Sequence, residues 1–138
     1  MGRVFPRGAA GQGGGGSAGE AAMAMRRVAT EFGMGTSLRR EDYTEAAARA
    51  VRAALWRNAL TAAELFGMEK ADMRIRCTVA VARPERVDRG AIAALFPYGE
   101  VEVEAVAGGL DVAKPEAGGV TVIAQAAVAV SFEMEPAG

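Results

Sequence analysis

The feature that most constrains how this chain folds is its last long segment, residues 120–132, which is nearly apolar throughout. A strand with one solvated face alternates apolar and polar side chains, whereas a continuous apolar run is typical of a strand buried on both faces. We therefore expect residues 120–132 to form a central strand of a sheet. With 51% hydrophobic residues among 138, the chain can build a single core around that strand.

The rest of the sequence supplies three further strands and two helices. Apolar and alternating patterns predict the strands, which are residues 28–34, 73–82 and 100–106. Residues 42–65 and 87–96 carry helical patterns, and Asp42 followed by Glu45 is typical of a helix start. The order strand, helix, strand, helix, strand, strand predicts an α+β fold. Two helices cover one face of a four-stranded sheet, which gives a two-layer sandwich.

The expected domain boundaries follow from composition. Residues 1–25 are dominated by glycine and alanine and have little to bury, so we expect a disordered leader there. Residues 26–134 form the predicted domain, and residues 135–138 form a short tail. The chain has a single cysteine, Cys77, and neither an apolar run of about 18 residues nor a signal-peptide pattern. These features favour a cytoplasmic protein.

Charge and residue usage exclude several classes of function. Lysine plus arginine number 16 and aspartate plus glutamate number 17, so we expect neither nucleic acid nor a membrane surface as a partner. The absence of histidine removes Ser-His-Asp and Cys-His catalysis and histidine-based metal sites. We expect no metal and no cofactor. Any chemistry must use carboxylate, hydroxyl, arginine or backbone groups.

The connection at residues 31–37, between the first strand and the first helix, is the predicted binding loop. Backbone N–H groups and hydroxyls at such a connection often hold an anionic or polar ligand. Glu31 is the candidate catalytic base, because a carboxylate inside an apolar strand needs a partner. The candidate substrate-binding residues of the loop are Gly33, Met34, Gly35, Thr36 and Ser37. The alternative is a tight turn with glycines at positive φ, and with Glu31 paired to Arg74 or Arg76.

Three other residues complete the candidate site. Asp42 lies at the predicted helix start, Asn58 lies on the apolar side of that helix, and Tyr98 follows Pro97 in a turn. Asn58 has a structural alternative, because a polar side chain on an apolar face is commonly hydrogen-bonded to a loop backbone. The site would therefore join a loop, a helix start and a turn.

Other features of the predicted strands favour structural roles. Arg74 and Arg76 against the glutamates of residues 100–104 predict cross-strand ion pairs. Cys77 lies on the apolar side of its strand, which predicts a buried and unreactive thiol. Small residues such as Ala127 and Ala129 on the uncovered sheet face allow close approach of another subunit, so we expect a homo-oligomer.

Several short motifs together resemble a family of short conserved hypothetical bacterial proteins. They are Glu31-Phe32-Gly33-Met34-Gly35, Ala-Arg-Ala-Val-Arg at 48–52 with Asn58, Phe96-Pro97-Tyr98-Gly99 and Gly108-Gly109-Leu110. More distantly, the order of elements resembles one repeat of the cyanuric acid hydrolases and barbiturases, which are ring-opening amidohydrolases. It is also similar to trimeric deaminase-like and chorismate-mutase-like folds. These resemblances imply a homotrimer with clefts between subunits, and no catalytic residue carries over from them.

The sequence therefore predicts a small-molecule binding protein or enzyme with a site between subunits. For an enzyme, we expect hydrolysis or isomerisation of a small polar amide or carbonyl compound. Glu31 would be the base, and N–H groups of the loop would be the oxyanion donors. The alternative is a non-catalytic structural or regulatory homo-oligomer whose polar sheet face is its interface.

Overall fold

The computed structural model describes residues 24–55, 72–97, 99–116 and 118–134, which hold five strands and two helices. In chain order these are β1 (Ala24–Ser37), α1 (Tyr43–Leu55), β2 (Arg74–Val81), α2 (Arg89–Ala93), β3 (Glu100–Ala107), β4 (Leu110–Ala113) and β5 (Val120–Met134). A 3-10 turn at Pro84–Arg86 precedes α2. The predicted α+β class is confirmed. None of the described helices is long and apolar enough to cross a membrane.

The strands form one open sheet in the order β1-β5-β2-β3, and β4 pairs with the first residues of β5, beyond the end of β2. Every pair is antiparallel except β2 with β3, which run parallel and are connected through α2. The predicted central position of β5 is confirmed, because β1 lies on one of its edges and β2 and β4 on the other. The prediction of burial on both faces is wrong at Gln125, which is exposed.

Two predicted segments differ from the structure. The predicted four-stranded sheet has a fifth strand, β4, in a segment that the sequence assigns to a loop. With only four residues next to Gly108 and Gly109, β4 is too short for an alternation pattern to be distinguished from a turn. The first strand is longer than the predicted residues 28–34 and includes the whole predicted binding loop.

Both helices lie on one face of the sheet, as predicted, with α1 across β1 and β5 and α2 against β3 and α1. The packed side of α1 is formed by small residues that are fully buried, namely Ala46, Ala47, Ala50, Val51 and Ala54. β1 presents Gly33 and Gly35 to this helix. A Cβ atom added to Gly35 would lie 2.4 Å from the backbone nitrogen of Ala50, so α1 lies too close for any side chain there.

The helix starts are fixed by side-chain caps. The Asp42 carboxylate accepts a hydrogen bond of 2.9 Å from the backbone N–H of Glu45, which confirms the predicted start of α1. Asp88 caps α2 in the same way through the backbone N–H of Ala91 at 3.1 Å. The Thr44 hydroxyl accepts a 2.8 Å hydrogen bond from the backbone N–H of Asp88 and so connects the two helix starts. These caps orient both helices on the sheet.

The core fills the space between the helices and the sheet. Alternate residues of β2 point into it, so that Ile75, Cys77 and Val79 are buried. Among the described residues, Phe132 of β5 is the largest fully buried side chain. Cys77 is buried as predicted, and burial raises the pKa of its thiol from 9.0 to about 12. The thiolate is therefore scarce at neutral pH, and the thiol is unreactive.

Candidate functional site

The sheet face away from α1 and α2 carries the side chains that alternate with the core, and the described residues place no layer over it. We call this surface the open face. Strand register arranges it in rows across the sheet, one of which is Thr30, Ala129, Arg76 and Glu102. Strands in a sheet lie about 4.8 Å apart, so side chains in one row are within contact of their neighbours. The side chains in these rows are mostly charged at one end of the face and mostly apolar at the other.

The charged end of the open face is a groove of about 850 Å³, which we call the charged groove. Three arginines and three glutamates line it, namely Arg27, Arg74, Arg76, Glu100, Glu102 and Glu133. Its floor includes the small side chains of Ala129 and Ser131. Guanidinium groups donate hydrogen bonds and carboxylates accept them, so the groove has both donors and acceptors for a molecule that lies on the sheet.

One of the predicted cross-strand ion pairs is confirmed within this groove. Arg74 and Glu100 are direct partners in the parallel pairing of β2 with β3, and their side chains form a salt bridge. Arg76 and Glu102 occupy the next row and also have interaction partners. Both side chains of the Arg74–Glu100 pair are at least half exposed, so solvent screens the pair and its contribution to folding stability is small.

The other end of the open face is apolar. Four large hydrophobic side chains form the apolar strip, namely Phe32, Met34, Leu110 and Val112, with exposures of 64%, 63%, 57% and 42%. Beside Phe32 and Met34 lies a depression of about 550 Å³ whose floor holds Thr78, Ala80, Gln125 and Ala127. Single exposed hydrophobic residues are ordinary on a protein surface, whereas a contiguous group of this kind indicates a contact surface.

The predicted binding loop is wrong as a loop, because residues 31–37 are the second half of β1. Gly33, Gly35 and Ser37 lie on the side of β1 that α1 covers, whereas Met34 and Thr36 belong to the open face. The alternative interpretation of the glycines, a turn at positive φ, is wrong as well. The glycines allow α1 to approach β1 closely. The sequence predicted a loop because glycine is typical both of loops and of strands that another backbone approaches closely.

Glu31 also lies on the helix-facing side of the sheet, opposite Val128 of β5, which in turn pairs with Cys77 of β2. Arg74 and Arg76 lie on the open face, so neither can form the ion pair with Glu31 that the structural alternative required. The structure thus separates Glu31 from the charged groove by the thickness of the sheet.

The remaining predicted site residues are not brought together by the described part of the chain. The Asp42 carboxylate is engaged in capping α1, and the hydroxyl of Ser37 accepts a 3.2 Å hydrogen bond from the backbone N–H of Asp42. Asn58 and Tyr98 lie outside the described residues. The predicted single site made of residues 31–37, the helix start and the turn is therefore not formed by the residues that the structure describes.

A second polar cluster, which sequence reasoning missed, lies at the start of α1. The buried phenol of Tyr43 donates a 2.5 Å hydrogen bond to Oδ2 of Asp111 in β4. The hydrogen bond to Asp111 and burial together raise the pKa of the Tyr43 phenol above its ordinary value. The Arg86 guanidinium lies 5.6 Å from the centre of the Tyr43 ring. This cluster attaches β4 to α1, which is a structural role.

Sequence reasoning also missed the apolar strip, although a signal was present. Phe32 and Met34 alternate with Gly33 and Gly35, and strict alternation over residues 31–37 is the pattern of a strand with two different faces. The glycines on one side of this alternation require a covering element, so the large side chains must lie on the other side. Within the described residues, no group of three or more Asp, Glu or Cys side chains is placed to hold a metal ion.

The described residues form a small two-layer α+β domain. Its open five-stranded sheet has helices on one face, and its other face is charged at one end and apolar at the other. The chain belongs to the family described as conserved hypothetical protein, Lin0512_fam, whose model matches residues 27–130. Its structure is similar to the crystal structure of an FtsZ-like protein of unknown function from Nostoc punctiforme PCC 73102, with a TM-score of 0.71. The two sequences are 36% identical, and the match covers 80% of this chain and 98% of that one. No curated protein matches the sequence.

Proposed function

We propose that this protein is a homo-oligomeric small-molecule binding protein whose ligand lies in the charged groove, at a boundary between subunits. The observation behind the proposal is the charged groove on the open face. It has a volume of about 850 Å³ and is lined by both guanidinium and carboxylate groups. Pockets that bind small molecules have volumes of roughly 300 to 1,000 Å³ and enclose most of the ligand. A groove on an open sheet face needs a second surface over it to achieve that enclosure.

The lining of the groove favours a neutral polar ligand. Arg27, Arg74 and Arg76 can donate hydrogen bonds to a carbonyl oxygen, and Glu100 and Glu102 can accept them from an N–H group. An amide carries both groups within one small unit. With three arginines and three glutamates, the groove has no excess charge to attract a strongly anionic or cationic molecule.

The assembly expected from the sequence is a homotrimer in the cytoplasm. Rows of small residues on the open face support close approach of a neighbouring subunit, since Ala127 and Ala129 leave the backbone near the surface. The similarity of the element order to one repeat of the cyanuric acid hydrolases and barbiturases suggests cyclic amides as the first compounds to examine.

Thermal unfolding of the full chain tests the binding proposal, with neutral cyclic amides such as hydantoin and dihydrouracil as probes. We expect the melting temperature to rise with the concentration of a cyclic amide, because a ligand that binds only the folded state stabilises it. Arg74→Gln should reduce this rise, since it removes a guanidinium group from the groove. Arg52→Gln on the exposed side of α1 is the matched control and should keep the rise unchanged. A melting temperature that no probe changes would contradict the proposal, as would an equal rise in both variants.

A catalytic role for Glu31 is a separate part of the proposal. Because Glu31 lies on the helix-facing side of the sheet, it would act at a different place from the charged groove. A substrate for Glu31 would have to bind on that side of the sheet, so Glu31→Gln should abolish hydrolysis of a cyclic amide while binding in the charged groove and the mass of the assembly stay the same. Loss of the assembly in this variant would indicate a structural role instead.

The second candidate function is a structural or regulatory homo-oligomer without a ligand. The salt bridge between Arg74 and Glu100 favours it, because groups that neutralise each other are less available to a third molecule. If Arg74→Gln lowers the mass of the assembly and no probe raises the melting temperature, the structural function is supported.

A further inference from the structure

We propose that the apolar strip is the surface through which copies of this chain assemble, with Phe32 and Met34 of one copy packing into the depression over Ala80 and Ala127 of another. The inference deepens the proposed function by naming the contact that forms the homo-oligomer. It does not require a ligand, because the apolar strip lies at the opposite end of the open face from the charged groove.

The first argument is exposure. Phe32 and Met34 are each more than 60% exposed on the edge strand β1, and Leu110 lies two strands away in β4 at 57%. The three side chains belong to adjoining rows, because Leu110 pairs with Ile123, and Ile123 pairs with Thr36 of β1. Apolar surface of this extent is unfavourable in water, and burial against a partner removes that cost.

The second argument is shape. Ala127 lies directly between Phe32 and Thr78 in its row, and Gln125 lies between Met34 and Ala80 in the next. Large side chains on β1 thus form a ridge beside a depression of about 550 Å³ formed by smaller ones on β5 and β2. A surface that carries both a ridge and a depression offers a copy of itself a partner for each feature. In a two-fold dimer the two copies exchange ridge and depression, and in a closed ring the ridge of each copy meets the depression of the next.

The third argument is charge. The arginines of β2 and the glutamates of β3 form adjacent columns of opposite sign in the charged groove. Because the groove holds equal numbers of both signs, it has no net charge that would repel a second copy of itself. An anionic membrane or a nucleic acid would instead need an excess of basic residues, and the groove holds equal numbers of both signs.

The fourth argument is size. The open face is four strands wide, at about 4.8 Å per strand, and roughly ten residues long, at about 3.3 Å per residue. Its projected area is therefore roughly 600 Å². Standard interfaces bury about 800 Å² of accessible surface on each partner, and the accessible area of a corrugated sheet exceeds its projection. A contact that is centred on the apolar strip and extends over the rest of the open face is therefore large enough to be stable.

Sedimentation velocity and light scattering of the full chain test the inference directly. We expect the wild-type protein to have the mass of two or three copies of the 14.2 kDa chain. The double variant Phe32→Glu/Met34→Glu should be monomeric, with association weakened at least a hundredfold. Leu38→Glu is the matched control, since Leu38 is 57% exposed but lies outside the apolar strip, and it should keep the wild-type mass. A monomeric wild type, or a double variant that keeps the wild-type mass, overturns the inference.

Disulfide trapping provides a test that does not depend on how the charged variants fold. Copies carrying Phe32→Cys and copies carrying Ala127→Cys are mixed and oxidised, and we expect a mixed disulfide between them. The native Cys77 is buried and does not compete. Leu38→Cys in place of Phe32→Cys should give no mixed disulfide, and a cross-link from Leu38→Cys alone would contradict the proposed contact.

The two proposals can fail separately. A monomer whose melting temperature still rises with a cyclic amide overturns the assembly contact but leaves ligand binding intact. An oligomer that depends on Phe32 and shows no response to any probe leaves the contact intact and overturns ligand binding.

Discussion

On the face of the sheet that α1 covers, β1 presents Gly33 and Gly35, whereas on the open face the same strand presents Phe32 and Met34. The covered face needs the smallest residue, because the helix backbone lies against the strand. The open face carries the largest side chains of this segment with more than 60% of their surface in solvent. The two faces differ in what determines their residues. On the covered face the residues are determined by packing within one chain, and on the open face they are determined by what that chain contacts.

Two phenylalanines on opposite faces offer the largest test of this comparison. Phe132 is fully buried on the covered face, so Phe132→Ala should lower the free energy of unfolding by about 3–5 kcal/mol. Phe32→Ala on the open face should change it by less than about 0.5 kcal/mol. Urea unfolding followed by circular dichroism, at a protein concentration that dissociates any oligomer, measures both values. Similar losses in the two variants would show that the open face is covered within the subunit.

Two glycines test the close approach of α1. Gly35→Ala should destabilise the fold by about 3 kcal/mol, because the new Cβ atom would meet backbone atoms of Ala46 and Ala50 that cannot move independently of the helix. Gly90→Ala in α2 is the control, since its nearest neighbour is a side-chain oxygen of Asp88 at 3.3 Å. We expect that variant to lie within about 1 kcal/mol of the wild type. The same urea experiment measures both, and a tolerated alanine at position 35 would contradict the packing argument.

Over one pH unit, the pH dependence of stability gives the smallest expected effect, about 1.4 kcal/mol. The folded-state pKa of Cys77 lies near 12, above the ordinary 9.0, so the thiol of the unfolded chain ionises first as the pH rises. The contribution of Cys77 to stability should therefore be constant below about pH 9 and fall by about 1.4 kcal/mol per pH unit above it, until the folded-state pKa is reached. Urea midpoints on either side of pH 9 measure the slope.

Moving the thiol to the open face provides the control for that slope. In the double variant Cys77→Ala/Thr78→Cys the thiol occupies the next position of β2, on the half-buried open face. Its pKa should stay near the ordinary value, so the slope just above pH 9 should disappear. An unchanged slope would mean that another group causes the alkaline loss of stability.

The covered face could be predicted from the sequence to a greater extent than the open one. The long apolar run of β5 located the central strand, Asp42 located the start of α1, and the alternation of β2 placed Cys77 in the core. Each of these patterns reports contacts between a residue and the interior of its own subunit. Buried residues recur in the sequence with the period of the helix or strand, so the core residues could be predicted from that pattern.

The candidate site was predicted less well, for two physical reasons. Gly33 and Gly35 are compatible with a turn, a ligand-binding loop or a close helix contact, and residue type alone does not distinguish these situations. The contact of Tyr43 with Asp111 joins residues that are 68 positions apart in the chain. No local pattern encodes a contact over such a separation, so that cluster could not be recognised from the sequence.

The pairing of β1 with β5 has a consequence for the order of events during synthesis. Ala24 at the start of the domain is the direct partner of Met134 at its end, and the register continues to Ser37 opposite Val122. The first strand and the helix that packs on it therefore have no central strand to join until β5 has been synthesised and has left the ribosome. Domains dominated by such long-range pairings fold slowly. This domain therefore completes its sheet only once its last strand is available to pair with its first.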